Sequence, residues 1–264
     1  MGSKEKLSSK EYWNEVLQNT RLPILVKDTE YGTWLQDVFF GKILTDGNYS
    51  TLMEVGAGSS GWLPYLAKKY NLFVSGLDYS EVGCEICEKN LQYLEVQYDK
   101  IICRDIFNWE SDDSYDIIIS FGVIEHFDNP EVILRICKKH LSKGGLIITI
   151  IPNLNGLAGK IVKLFLPEVY KMHKVINLNQ LNSLHQAAGF GKIRSDYTGL
   201  IYPLVFPWVS KKDGIFFKEN TYIRKMTLYF INLSNVFITK ILRLLKVNPS
   251  SEILSPFVIY VGSI

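Results

Sequence analysis

The stretch TLMEVGAGSSG, residues 51–61, joins a short apolar run to a segment of helical period through a loop rich in glycine. Gly56 and Gly58 allow a tight turn and let the backbone approach a ligand closely. The N-terminus of the helix that follows favours a negatively charged group such as a carboxylate. The stretch therefore predicts a strand, a ligand-binding loop and a helix, in that order.

Outside this stretch, short apolar runs alternate with segments of helical period. The run 147–151 is apolar except for one threonine, which is typical of a parallel strand buried on both faces. The alternation favours a parallel sheet with helices on both faces. The predicted strands are 51–55, 72–77, 100–103, 115–120, 146–151, 192–201 and 256–262. The predicted helical segments are 8–40, 61–70, 80–94, 130–141 and 177–188.

The composition is that of a globular protein, since 47% of the 264 residues are apolar and 21% are charged. The net charge is only +2 and there is no long basic block, which argues against nucleic acid as a partner. Residues 1–6 carry no apolar core of a signal peptide. Cys84 and Cys87 are expected to be buried, because no second cysteine pair with metal-ligand spacing follows. We therefore expect a cytoplasmic protein with reduced cysteines.

Three acidic residues stand at or near the ends of predicted strands. Asp78 is placed to accept hydrogen bonds from ribose hydroxyls, and Asp105 to accept one from the exocyclic amine of adenine. Glu54, two residues before Gly56, suits a ligand with a free ammonium group and would be unfavourable beside a pyrophosphate. The alternatives are that Glu54 and Asp78 cap adjacent helices and that Asp105 is a turn residue.

The order of these motifs resembles that of the class I S-adenosylmethionine-dependent methyltransferases, most closely the UbiE/UbiG-like group. The resemblance covers about 50–200 and includes the segments YDIIISFGVIEH (115–126) and LSKGG (141–145). It implies an α/β fold with a Rossmann-like, doubly wound, seven-stranded sheet that is mostly parallel with an antiparallel last strand. It also implies S-adenosyl-L-methionine as the cofactor and in-line transfer of its methyl group to oxygen or nitrogen of an acceptor.

The same resemblance implies a role for each motif in binding the cofactor. The glycine loop holds the methionine part, Asp78 the ribose, and Asp105 with Ile106 the adenine, while the loop after the fourth strand lines the methyl side. One departure is Ser60, where many members carry the third glycine. The predicted cofactor-binding residues are Glu54, Gly56, Ala57, Gly58, Asp78, Tyr79, Asp105, Ile106, Ser120, Phe121 and Gly122.

Two of the four histidines are candidates for a catalytic base. His126 directly follows the fourth strand, at the carboxyl edge where ligands bind in such sheets, and His173 lies in an insertion near the same edge. Histidine is the usual base at neutral pH, and the alternative is that each of the two helps to hold a loop. His140 is expected at the surface and His185 in a structural role. The spacing of histidines and carboxylates predicts no metal site.

The strand–helix alternation also indicates the domain organisation. We predict an N-terminal helical cap, 1–40, and a methyltransferase domain, 41–264, with helical cap insertions at about 153–176 and 202–254. We expect the second insertion to cover the acceptor pocket, because long connections near the ligand edge usually carry function. The alternative is peripheral contact of its apolar helix, 221–246, with a membrane. The aromatic residues expected to line the pocket are Tyr202, Phe206, Trp208, Phe216 and Phe217.

Other functions remain compatible with the glycine loop. An NAD-dependent oxidoreductase carries a similar loop, and a scaffold protein can retain the cofactor fold without turnover. For an enzyme, the acceptor is expected to be a small molecule, a sugar or a lipid-linked compound. The sequence leaves open which of these it is, which atom is methylated, and whether the protein forms oligomers.

Overall fold

The computed structural model describes residues 6–27, 31–45, 47–199, 233, 236–245, 247 and 249–264. A seven-stranded sheet carries the strands in the order β3-β2-β1-β4-β5-β7-β6. The strands are β1 (Thr51–Val55), β2 (Phe73–Asp78), β3 (Tyr98–Cys103), β4 (Tyr115–Phe121), β5 (Leu141–Pro152), β6 (Gly191–Thr198) and β7 (Phe257–Ser263).

The direction of the strands confirms the predicted fold class. Strands β1 to β5 pair in parallel, whereas β7 pairs antiparallel with both of its neighbours, β5 and β6. β1 lies between β2 and β4, with Glu54 opposite Gly76 on one side and Ile119 on the other. The carboxyl ends of the first four strands therefore meet at one edge of the sheet, and the loops after them lie side by side.

Helices accompany the strands in the order expected from the alternation. The helices are α1 (Lys10–Leu17), α2 (Tyr31–Leu44), α3 (Trp62–Tyr70), α4 (Glu81–Tyr93), α5 (Pro130–Lys139), α6 (Leu157–Phe165), α7 (Pro167–Lys171), α8 (Leu178–Ala187) and α9 (236–245). Short 3-10 turns follow β3 and β4, at Ile106–Asn108 and Ile124–His126.

The prediction of a helix through 8–40 is wrong for 18–27, where the chain is not helical. Pro23 cannot donate a backbone hydrogen bond within a helix. The next residue, Ile24, pairs instead with the side chain of Asn90 in α4. That side chain accepts the N–H of Ile24 at 2.7 Å and donates to its carbonyl at 3.2 Å. A contact so distant in the sequence leaves no periodic pattern from which it could be predicted.

The core lies on both faces of the sheet. Along β4, Ile117 and Ile119 point into one apolar cluster and Ile118 points into the other, and all three are fully buried. Burying one such side chain stabilises the fold by roughly 1.5–3 kcal/mol. A continuous apolar run is therefore required in this strand, as its sequence predicts.

The insertion at 153–176 is helical, with α6 and α7, and is anchored to the chain just before β7. The Asn153 side chain donates to the carbonyl of Glu252 at 2.7 Å and to that of Ser255 at 2.9 Å. The N–H of Leu157 donates to the carbonyl of Ile253 at 2.9 Å. These bonds place the start of the insertion next to the end of the sheet that carries β7.

Most of the insertion at 202–254, including the five aromatic residues expected to line the acceptor pocket, lies outside the described residues. Of the predicted helix 221–246, residues 236–245 are described and are helical. Phe237 and Leu244 are exposed in α9. No helix among the described residues is long and apolar enough to cross a membrane. The acceptor-pocket and membrane-contact hypotheses for this segment both remain predictions.

The expectation that His140 lies at the surface is wrong, and that of a structural His185 is confirmed. The backbone carbonyl of His140 pairs with the N–H of Tyr115 in β4, which turns its ring inward onto Trp109, with ring centroids 3.9 Å apart. His185 is fully buried and stacks on Tyr260. Its Nδ1 lies 2.9 Å from the carbonyl of Leu181, so Nδ1 carries the proton and Nε2 is an acceptor.

We predict that Thr149→Val destabilises the fold by about 1–3 kcal/mol. The Thr149 hydroxyl lies 2.9 Å from Nε2 of His185 and donates to it, so the substitution leaves a buried acceptor unpaired. Urea unfolding measures the change. Thr45→Val, at an exposed position, is the matched control and should leave stability nearly unchanged. Equal effects of the two substitutions would show that the buried bond contributes nothing.

Candidate active site

A cleft lies at the carboxyl edge of the parallel strands and is lined by the loops after β1, β2, β3 and β4. These loops bring together groups that are far apart in the sequence, as expected for an open sheet of this kind. Nine of the predicted site residues line it: Gly56, Gly58, Asp78, Tyr79, Asp105, Ile106, Phe121, Gly122 and His126.

The glycine loop is folded tightly against the end of β2. Gly56 has a φ of +78°, and its N–H donates to the carbonyl of Leu77 at 2.7 Å. The N–H of Gly58 donates to Oδ2 of Asp78 at 2.8 Å. A Cβ atom on Gly58 would itself lie 2.8 Å from that oxygen, so a larger residue would push the two loops apart. Both glycines are therefore required by the geometry of the site.

Asp78 holds two loops with one carboxylate. Besides Gly58, it binds the N–H of Ser80, which donates to Oδ1 at 2.9 Å. Burial raises the pKa of Asp78, and the backbone hydrogen bonds counteract part of that effect. The N-cap of α4 is Ser80, whose hydroxyl oxygen accepts the N–H of Gly83. Asp78 is therefore free of the capping role that the sequence left open for it.

Glu54 lies just behind the cleft in β1 and is almost completely buried, at 1% exposure. Burial raises its pKa to about 8, while a hydrogen bond with Ser60 lowers it and the nearby Asp78 raises it further. Its Oε2 has no hydrogen-bond partner among the described residues. A position within a strand also excludes the capping role. An unpaired buried carboxylate beside the glycine loop fits the expected ammonium group.

Asp105 caps a local turn and also lines the cleft. Its Oδ1 accepts the N–H of Phe107 at 3.2 Å and so caps the 3-10 turn after β3. Its Oδ2 forms an ion pair with Lys6. The turn role that the sequence left open is therefore present, and a ligand amine at Asp105 has to share the carboxylate with Lys6 or displace it.

Besides Glu54, two predicted cofactor-binding residues do not line the cleft. Ala57 is fully buried and packs so closely on Gly76 that a Cβ there would lie 2.9 Å from its own. Ser120 is buried at the end of β4. Ala57 and Ser120 therefore support the loops that line the cleft without lining it themselves. Asp116 lies at the opposite end of β4, where its Oδ2 accepts the N–H of Ser50 at 2.8 Å in a structural role.

Sequence reasoning missed the N-terminal contribution to the cleft. Four residues from this region line it, and the N–H of Leu7 donates to the carbonyl of His126 at 2.7 Å. The ring of Trp13 packs edge-on against His126, with centroids 5.2 Å apart. The only signal was the scatter of aromatic residues in 8–40, which does not show where a segment packs. The four residues are Lys6, Ser8, Trp13 and Leu17.

The two candidate bases lie together, although only His126 lines the cleft. The rings of His126 and His173 are 4.3 Å apart between centroids. Burial lowers the pKa of His126 to about 3, helped by His173, and burial also lowers the pKa of His173. Both rings are therefore neutral at pH 7. The sequence spacing predicted no metal site, whereas the fold brings Glu125 within reach of both rings.

Comparison with known proteins identifies the family. Residues 29–194, well over half of the chain, match the family model described as a methyltransferase domain. The chain belongs to this methyltransferase family. The resemblance inferred from the motif order is confirmed, and the family match covers the whole glycine loop, the acids after β2 and β3, and His126.

The curated relatives match this methyltransferase domain over short stretches. One is the probable (S)-tetrahydroprotoberberine N-methyltransferase 2 of Papaver bracteatum, 30% identical over 98 residues, which are 37% of this chain and 27% of that protein. Another is the ubiquinone biosynthesis O-methyltransferase of Neisseria meningitidis, 24% identical over 99 residues, 36% of this chain and 41% of that protein. The matched part thus spans less than half of these relatives.

Solved structures share the fold at low sequence identity. A coclaurine N-methyltransferase bound to N-methylheliamine and S-adenosylhomocysteine has a TM-score of 0.60 at 14% identity, covering 96% of this chain and 85% of that chain. A methyltransferase from Archaeoglobus fulgidus has a TM-score of 0.53 at 17% identity, covering 97% and 95%. These likenesses show the fold of the methyltransferase domain together with its antiparallel last strand.

We predict that Asp78→Asn weakens S-adenosylhomocysteine binding by about 1.5–3 kcal/mol, roughly 10- to 150-fold. The substitution keeps the shape of the side chain but removes the charge that faces the cleft. Titration calorimetry measures the affinity. Asp116→Asn is the matched control, because that carboxylate holds backbone groups at the far edge of the sheet. Affinity of Asp78→Asn within twofold of wild type would assign Asp78 a purely structural role.

We also predict that the ligand-free protein loses stability as the pH rises from about 5 to 8. The folded state keeps a proton on Glu54 up to a pKa of about 8, while the unfolded chain releases it near the ordinary glutamate pKa of 4.5. The folded state then binds more protons, so stability falls with pH by at most about 1.4 kcal/mol per unit for this group. The titratable groups facing Glu54 are the carboxyl of Asp78 and the thiol of Cys87, and burial keeps the thiol uncharged over this pH range.

Urea unfolding at several pH values tests this dependence. Glu54→Gln should make the decline shallower by the share due to Glu54, leaving that of Glu125, whose pKa burial also raises to about 8. Glu85→Gln, at an exposed position in α4, should leave the decline as in wild type. An unchanged slope in Glu54→Gln would mean that the buried carboxyl does not hold its proton.

Proposed function

We propose that the protein transfers the methyl group of S-adenosylmethionine to a small-molecule acceptor, preferentially at nitrogen. The observation that carries the proposal is the buried carboxyl group of Glu54 behind the glycine loop, whose Oε2 has no partner among the described residues, with Asp78 lining the adjoining cleft. Together these groups offer one partner for an ammonium group and one for ribose hydroxyls, which the methionine and ribose parts of the cofactor provide.

The remaining predicted residues complete the cofactor site in this proposal. Asp105 and Ile106 lie at the end of the cleft formed by the loop after β3 and would contact adenine. The backbone of Phe121 and Gly122, after β4, would face the sulfonium and its methyl group. Gly122 has a φ of +65°, a conformation that glycine adopts without strain.

Methyl transfer requires little chemical participation from the protein. The acceptor lone pair forms a bond to the methyl carbon while the carbon–sulfur bond breaks, and S-adenosylhomocysteine leaves uncharged. Holding the reactants in line can supply roughly 7–11 kcal/mol of the barrier reduction. An acceptor that starts as an ammonium or a hydroxyl first gives its proton to a base. The ring of His126 lines the cleft and is placed to take that proton, although the burial that lowers its pKa to about 3 makes it a weaker base than a free imidazole.

Two observations support nitrogen as the methylated atom. Several curated relatives, including the (S)-coclaurine N-methyltransferase of Thalictrum flavum, are named for transfer to nitrogen. The cleft around His126 is lined by the aromatic rings of Trp13, Phe121 and Phe127. Aromatic faces attract cations, so they favour an amine that becomes cationic on methylation. Sugar and lipid-linked acceptors remain predictions tied to the segment 202–254.

The oxidoreductase alternative has no support in the site. β7 runs antiparallel to its neighbours, whereas dinucleotide-binding sheets are mostly parallel. The scaffold alternative predicts cofactor binding without product, so a turnover assay separates it from the enzyme.

The first test of the proposed function is cofactor binding followed by turnover. S-adenosylhomocysteine should raise the melting temperature by mass action, and NADH should not. With labelled S-adenosylmethionine, panels of amines, phenols and sugar lipids are then screened by mass spectrometry for a gain of one methylene unit. Amines should give product. A folded protein that shows no shift at millimolar S-adenosylhomocysteine would refute the methyltransferase activity.

A second test addresses the base. His126→Ala should lower kcat by about 10²–10⁴ with an acceptor that must lose a proton, while S-adenosylhomocysteine affinity is retained. His140→Ala, which removes a histidine outside the cleft, is the matched control. A near-normal rate for His126→Ala would show that the acceptor is already nucleophilic or that another group takes the proton.

A further inference from the structure

Three potential metal ligands converge at the edge of the cleft. Glu125 and His126 belong to the 3-10 turn after β4, and His173 follows α7 in the insertion at 153–176. One ligand-type atom from each residue lies within 4.8 Å of those of the other two. Glu125 and His126 are buried, and His173 is partly buried.

The carboxylate of Glu125 lacks a partner. The residue is 1% exposed, and neither oxygen accepts a hydrogen bond from another described residue. Burying an ionised carboxylate without compensation is strongly unfavourable, so it either keeps a proton or meets a cation. Among the described residues no lysine or arginine forms a salt bridge with it. The carboxylate of Glu125 therefore has room for a cation that the described residues do not supply.

Both histidines are oriented in the way typical of metal ligands. Nδ1 of His126 lies 2.8 Å from the carbonyl of Met172, and Nδ1 of His173 lies 2.6 Å from the carbonyl of Val169. A carbonyl only accepts, so each Nδ1 carries the proton and each Nε2 keeps its lone pair. Metal-binding histidines usually donate their other ring N–H to a carbonyl or carboxylate in this way.

The cluster is held in place by the backbone. The N–H of Lys174 donates to the carbonyl of Glu125 at 2.6 Å, and its Nζ donates to the carbonyl of Asp128 at 2.7 Å. These bonds tie the residue after His173 to the loop after β4. The bonds of Lys174, which is not one of the three potential ligands, therefore hold the cluster together. Such an arrangement allows the site to form before a metal binds.

We propose that Glu125, His126 and His173 bind one divalent transition-metal ion, of which zinc is the best match. Two imidazoles and one carboxylate are the ligand set of several zinc and iron sites, whereas magnesium and calcium prefer oxygen ligands alone. Three protein ligands leave coordination positions open to water or to an acceptor at the cleft, which His126 lines. The bound ion would clip the insertion at 153–176 onto the sheet edge.

The proposal does not rest on methyl transfer. A bound ion engages the lone pair of His126, so metal binding and the base role exclude each other in one molecule. Metal content and turnover are therefore read separately. If the protein is active after its metal has been removed by a chelator and the His126→Ala variant is inactive, His126 acts as the base. That conclusion does not depend on whether a metal binds.

The experiment measures metal binding to the full chain after chelator treatment. All proteins carry Cys103→Ser, because Cys103 is an exposed free thiol that could bind zinc by itself. Zn²⁺ and Co²⁺ are titrated and the metal content is measured by mass spectrometry. We expect one ion per chain, a rise in melting temperature, and a Co²⁺ spectrum with nitrogen and oxygen ligands but no thiolate band.

Two variants test the ligands. His173→Gln and Glu125→Gln should each weaken Co²⁺ binding at least ~100-fold, more than the roughly 10–100-fold lost when only an outer partner of a ligand is removed. His140→Gln is the matched histidine control and should bind normally. Retained S-adenosylhomocysteine binding shows that a variant is folded. If a variant does not fold, the ligand types in the Co²⁺ spectrum of the Cys103→Ser protein decide the proposal.

Other results would overturn it. Substoichiometric metal in the Cys103→Ser protein, or binding that survives both His173→Gln and Glu125→Gln, would show that the cluster is not a metal site. A thiolate-containing ligand set would place the ion elsewhere and refute it equally.

Discussion

The hydrogen bond from the N–H of Gly58 to the carboxylate of Asp78 fixes the loop after β1 against the end of β2. The same carboxylate binds the N–H of Ser80, which begins α4. The loops can approach this closely only because Gly58 faces Gly83, whose Cα would lie 3.1 Å from a Cβ on Gly58. Two glycines and one acid thus set the width of the cleft, and the positions of Glu54 and Tyr79 follow from them.

The site concentrates groups that weaken the ligand-free fold. Glu54 and Glu125 are both buried, both have a pKa raised to about 8 by burial, and both carry an oxygen without a partner among the described residues. Other buried polar atoms without a partner, such as the hydroxyls of Tyr115 and Tyr260, are uncharged, whereas those of Glu54 and Glu125 belong to ionisable carboxyl groups. An unpaired buried carboxyl group is expected where a ligand, rather than the protein, supplies the missing partner.

Much of the fold could be predicted from the sequence because its strands are buried on both faces, so apolar runs such as 147–151 mark them directly. The glycine loop and the acids after β2 and β3 could be placed because the ends of parallel strands share an edge. Contacts across long sequence distances could not be predicted. The pairing of Ile24 with Asn90, the inward turn of His140, and the approach of His173 to Glu125 depend on packing that no local pattern records.

The N-terminal segment closes part of the cleft with chain from outside the sheet. The backbone of Leu7 pairs with His126, and Lys6 pairs with Asp105 and lies over the ring of Tyr79. A ligand amine at Asp105 competes with Lys6 for the same carboxylate. In the proposed function, the residence time of S-adenosylhomocysteine would then depend on how readily residues 6–8 detach, and not on the bond-making step alone.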